Sequence, residues 1–67
     1  MNNMKKLTLI KNGKQRKIKC TDYRHFRDDN FQEVIEIFHY QFVGYEKIDI
    51  TPPERILVSD YDNILFG

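Results

Sequence analysis

Only one cysteine, Cys20, occurs in this chain of 67 residues, so no disulfide can brace the fold from within. Small secreted domains commonly depend on such braces, and a lone thiol points instead to a reducing compartment. Alanine and tryptophan are absent, and the three glycines are isolated from one another. No glycine-rich loop for cradling phosphate is present. Long apolar runs are missing as well. After the polar, basic stretch Met1 to Lys6, only Leu7 to Ile10 precede the return of charge. A secretory leader needs roughly 7–15 apolar residues and a membrane helix about 20. The expectation is a soluble, cytoplasmic protein with no membrane association.

What is present suits folding. Hydrophobic residues make up 40% and aromatics 13% of the sequence, too much apolar surface for a chain disordered by composition. The length allows one domain, taken as residues 1–67. Usage leans towards Lys, Asn, Ile, Asp, Tyr and Phe, a bias that fits an AT-rich coding genome.

Charge is sorted along the chain. Every Lys and Arg except Lys47 and Arg55 lies between Lys5 and Arg27, and every Asp and Glu except Asp22 lies from Asp28 onward. The two parts either neutralise each other on packing or offer partners two electrostatic faces.

Asn12-Gly13 is the strongest local signal, because both residues tolerate the positive φ of a type I′ hairpin turn. Strands Lys5–Lys11 and Lys14–Thr21 flank it. Leu7 then faces Ile18, Leu9 faces Arg16 and Lys5 faces Cys20. Alternation gathers Leu7, Leu9, Ile18 and Cys20 on one face and Lys6, Lys17 and Lys19 on the other.

Asp22 to Arg27 reads as a polar connector. Asn30 and Glu33 have the spacing of a capping box, and Phe31, Val34, Ile35, Phe38 and Phe42 recur at helical spacing. A helix over Asn30 to Val43 is therefore predicted, with Gly44 ending it. Lys47 to Thr51 alternates as a strand with Ile48 and Ile50 inward, stopped by Pro52-Pro53. Ile56-Leu57-Val58 and Ile64-Leu65-Phe66 are further strands around an Asp60–Asn63 turn. The expected fold is α+β in ββαββ order, a small antiparallel sheet packed on one helix.

Catalytic signals are weak. Cys20, Asp22 and His25 include the residue types of a nucleophilic centre, but no spacing forms an elbow, and Cys20 falls on the inward face. Cys20, Asp22, His25 and His39 lack the close pairing of a zinc module. Asp60-Tyr61-Asp62-Asn63 lacks the glycine and terminal glutamate of a calcium loop. The expectation is a protein that is not an enzyme, with no cofactor and no metal.

Binding is what remains. Glu33, Glu36 and Tyr40 share the polar side of the predicted helix. With the Asp60, Tyr61 and Asp62 turn they form the expected partner surface, an aromatic anchor rimmed by acids suited to a basic groove. The leading expectation is a small protein-binding modulator, of the kind a phage or other mobile element uses to inhibit or redirect host machinery. The alternative is a nucleic-acid-binding regulator that uses Lys6, Lys11, Lys14, Arg16, Lys17 and Lys19 on the hairpin. No aromatic interleaves with those lysines, so a base-stacking platform is missing there. Assembly into a homo-oligomer is open on either reading.

Overall fold

The computed structural model describes residues 4–67. In chain order the strands are β1 Lys5–Lys11, β2 Lys14–Cys20, β3 Asp22–Arg27 and β4 Glu33–Phe38. They continue as β5 Tyr40–Val43, β6 Glu46–Asp49, β7 Glu54–Leu57 and β8 Asn63–Phe66, with one 3₁₀ turn at Val58–Asp60. Strands make up 66% of the described residues and none is α-helical, which overturns the expected ββαββ order.

The N-terminal hairpin forms as its turn dictates. Asn12 and Gly13 have φ of 53° and 76°, the left-handed pair that a type I′ turn needs. The register runs from Lys5 opposite Cys20 to Lys11 opposite Lys14. β8 adds to the far side of β1, with Phe66 opposite Leu7 and Ile64 opposite Leu9. The first sheet is therefore β2-β1-β8.

The segment predicted as a helix is β4 followed directly by β5. Its apolar residues recur at helical spacing because β4 is the central strand of a second sheet, β3-β4-β7, and is covered on both faces. Ile35 and Ile37 point into the core, while Val34 and Glu36 are buried on the opposite side. A strand buried on two faces does not alternate, and Val34, Ile35, Ile37 and Phe38 are strand formers. The expected capping box is a turn. The Asp28 carboxylate accepts the backbone N–H groups of Asn30 and Gln32 at 2.9 and 3.0 Å.

The expected connector Asp22–Arg27 is β3, paired with all of β4 from Asp22 opposite Phe38 to Arg27 opposite Glu33. Only Thr21 separates it from β2, and the Thr21 N–H donates to the Phe38 carbonyl at 2.8 Å. One continuous extended segment thus passes from the first sheet into the second.

The two sheets face each other across Leu7, Leu9, Ile18 and Cys20 on one side and Ile35, Ile37 and Ile56 on the other. Tyr23, Val58, Tyr61 and Ile64 close the margins of this core. β5 and β6 stand apart as a two-stranded ribbon. Gly44, with φ of 63°, opens its two-residue loop, where a type II′ turn takes glycine. Ile48 and Ile50 do not point inward as predicted but are 40% and 43% exposed. The molecule is extended. Its Cα radius of gyration is 13.0 Å, where a compact chain of this length has about 11 Å.

Candidate interaction surfaces

The six residues expected to form one acidic partner surface are dispersed. On β4, Glu33 and Glu36 lie on opposite faces, because strand alternation separates positions of odd spacing. Glu36 is only 6% exposed. Its two carboxylate oxygens accept from Arg24 Nη1 at 3.4 Å and Arg55 Nε at 2.9 Å, and both guanidinium groups sit over the Phe26 ring. Glu33 pairs with His25 at 2.7 Å and Arg27 at 3.6 Å. Tyr40 is half-buried on β5 and meets Phe42 edge-to-face.

The turn residues serve the fold. Tyr61 packs against the core. An Asp62 carboxylate oxygen accepts the Asn12 N–H at 2.8 Å, and the Asp62 N–H donates to the Ile10 carbonyl, also at 2.8 Å. Together the two contacts clamp the end of β1 and the hairpin tip against the residue that leads into β8. Among the described residues, Asp60 alone of the three is exposed with no such bond.

The basic hairpin keeps its expected face. Lys6, Lys17 and Lys19 project from the outer side of the first sheet and line an open groove of about 630 Å³ together with Thr8. Lys6 stands directly opposite Lys19 on this face, whereas Lys11 and Lys14, opposite each other at the hairpin tip, fall by alternation on the side of Leu7, Leu9 and Arg16. Among the described residues none of these lysines has a carboxylate within ion-pair distance. Like charges directly opposed across strands destabilise a pair. Arg16 does not belong to this face. It points inward and makes two 2.9 Å contacts with Glu54, which also meets His39 at 2.7 Å. The Arg16 hydrogen bond, then that of His39, holds the Glu54 carboxyl below its ordinary value against the opposing effect of burial.

Groups that carry chemistry elsewhere are occupied structurally. Cys20 is fully buried, its Sγ 3.6 Å from the Lys5 carbonyl, and burial pushes its thiol up. The Asp22 carboxyl sits below its ordinary value beside the Lys5 ammonium, 2.9 Å away. The His25 ring stacks on Phe66 while bonded to Glu33. Among the described residues no three His, Cys, Asp or Glu side chains are grouped to hold a metal ion.

Two exposed features escaped the sequence reading. The first is the ribbon. All of β6 and three of the four residues of β5 are exposed, yet they include Phe42 at 62% and Val43 at 56%, with Tyr45 fully exposed at the tip. Register places Val43, Ile48 and Ile50 on one face and Tyr40 and Phe42 on the other. The second is Phe31, 81% exposed in the β3–β4 loop with φ of 61°. The segment's lack of alanine and leucine was the available signal for strand over helix. No family model, curated protein or solved structure matches the chain.

Proposed function

We propose that the protein is a non-catalytic, protein-binding modulator that docks on its partner through the β5–β6 ribbon. One observation carries this reading: an element with both faces in solvent that bears Phe42, Val43, Tyr45, Ile48 and Ile50. A two-stranded ribbon is marginal by itself, and soluble proteins seldom leave such apolar residues clustered without a partner. Aromatic side chains at a projecting tip are the groups that anchor interfaces. The ribbon thus takes the place of the acidic helix face as the docking element. Occlusion of a partner's own binding surface is the mode of action that fits a small protein of this kind.

Affinity purification from a cell lysate, with and without nuclease, tests the reading. A stoichiometric protein partner should survive nuclease and be lost with the double variant Tyr45→Ser, Ile48→Ser. Loss of all partners on nuclease treatment would overturn it.

A second reading is favoured by Lys6, Lys17 and Lys19, which share the outer face of the first sheet and have no ion-pair partner among the described residues. They suit a nucleic-acid backbone, whose neutralisation gives a log–log salt slope of roughly −0.9 per phosphate contacted on duplex DNA. Lys6→Gln, Lys17→Gln and Lys19→Gln together should flatten that slope. An interaction with no salt dependence would exclude this second reading.

A further inference from the structure

The ribbon's two edges differ in character. Those of β6 are charged, with Glu46, Lys47 and Asp49, whereas β5 reads Tyr40-Gln41-Phe42-Val43, with neither charge nor proline. We propose that two copies of this chain pair through the outer edges of β5, antiparallel about Gln41, into a four-stranded ribbon ordered β6-β5-β5-β6. This rests on the reading of the ribbon as a docking element and names a second copy of the chain as an occupant of its edge.

The backbone sets the register. The Ile50 N–H donates to the His39 carbonyl at 2.9 Å, so this pair is hydrogen-bonded in the ladder. Bonded and non-bonded pairs alternate in an antiparallel ladder. Given Tyr40 opposite Asp49 and Gln41 opposite Ile48, Gln41 and Val43 turn their N–H and C=O groups towards β6. Tyr40 and Phe42 turn theirs outward, where no strand of the described residues meets them. A two-fold axis at Gln41 brings Tyr40 of one copy opposite Phe42 of the other, twice over. Each such pair exchanges two backbone bonds. Every outward polar group of Tyr40 and Phe42 is then satisfied.

Side chains agree with that register. Residues directly opposite share a face, so Tyr40 and Phe42 of both copies meet on one side. Their edge-to-face contact, with ring centroids 5.7 Å apart in the single chain, extends into a cluster of four rings. Gln41 meets its own equivalent on the other side, flanked by Val43 and Ile48.

The other edges are poorer candidates. Proteins blunt free edges with charge, and β2, β3, β6 and β7 all carry it. β8 is uncharged but runs beside β3, whose Tyr23 and His25 rings pack on Phe66. Pairing also supplies the third and fourth strands that an isolated ribbon lacks. So short a strand suits a weak, concentration-dependent dimer.

Sedimentation equilibrium of the full chain over a range of concentrations should show reversible dimerisation. Gln41→Lys places two ammonium groups against each other at the axis and should weaken association tenfold or more. In a Cys20→Ala background, Gln41→Cys should form a disulfide-linked dimer under mild oxidation, because opposed non-bonded residues lie about 4.5 Å apart at Cα, within disulfide range. Lys47→Cys, on the far strand, should stay largely uncrosslinked. A chain that is monomeric throughout, or a dimer that Gln41→Lys leaves unchanged, overturns the pairing. If Tyr45→Ser, Ile48→Ser still abolishes capture of a protein partner in that event, the self-pairing alone fails and the docking reading stands.

Discussion

Arg16 on β2 and Glu54 on β7 join the two sheets through paired contacts of 2.9 Å each. β2 and β7 are edge strands of different sheets, so the pair closes the sandwich along one margin. Tyr23 and His25 of β3 do the same along the other, packing on Phe66 of β8. Between these two margins the aliphatic core is thin. Side chains at its rim therefore carry much of the job of holding one sheet against the other.

The Glu54 pair makes stability depend on acid. A carboxyl held below its ordinary value in the folded state contributes stability that is present above that value, about 4.3, and is lost as pH falls through the depressed folded value. Asp22 beside Lys5 acts in the same direction. The urea midpoint should hold near neutrality and fall below about pH 4.3. Glu54→Gln should cost about 1 kcal/mol at pH 7 and shallow the acid limb. Identical limbs in the two proteins would refute the assignment.

Glu36 is expected to matter for folding in the absence of any partner. Its buried carboxylate is bonded to Arg24 and Arg55 across three strands, and removing it leaves two guanidinium groups facing each other over Phe26. Glu36→Gln should lower unfolding free energy by about 1–3 kcal/mol. Arg24→Met should cost less, since the shorter Arg55 contact survives. Urea titration of both variants checks the order.

The hairpin was legible in the sequence because its signal is local. Asn12-Gly13 fixes a two-residue loop, and the loop fixes every pairing from Lys5–Cys20 to Lys11–Lys14. The inward set Leu7, Leu9, Ile18 and Cys20 follows from alternation alone. β4 was illegible for the opposite reason. Its burial on two faces is a property of the assembled sheet, and it makes Val34, Ile35 and Phe38 imitate a helical stripe. That error carried the site with it, since Glu33, Glu36 and Tyr40 share a face only on a helix. Exposure of Phe42 and Ile48 was likewise hidden, because an apolar residue on a projecting ribbon has the same letter as one in a core.

Tyr61 and its neighbours should separate by role. Tyr61 covers the core margin, so Tyr61→Ala should destabilise the chain by about 1–3 kcal/mol as a partial core truncation. Asp62→Ala removes the bond to the Asn12 N–H and should cost about 1 kcal/mol. Asp60→Lys, at an exposed site, should change stability by less than about 0.5 kcal/mol. Thermal melts that rank the three otherwise would reassign this turn.

Phe31 should show stability and binding moving in opposite directions. Its φ of 61° lies in the left-handed region, which costs a residue with a Cβ roughly 1–2 kcal/mol. The Asp28 carboxylate and the Arg27 guanidinium, which donates to the Phe31 carbonyl at 3.1 Å, hold the loop in this conformation. The ring itself gains little in return, being 81% exposed. Asparagine tolerates left-handed backbone because its short side chain bonds locally. Phe31→Asn should therefore stabilise the chain by up to about 1 kcal/mol, a rise of roughly 4–8 °C in Tm for a domain of this size. An aromatic ring kept in solvent on a strained backbone makes Phe31 a candidate contact residue, separate from the ribbon. The same variant should weaken capture of the protein partner while the fold gains stability. A Tm that falls would show that the ring supports the fold, and unchanged capture would show that Phe31 takes no part in binding.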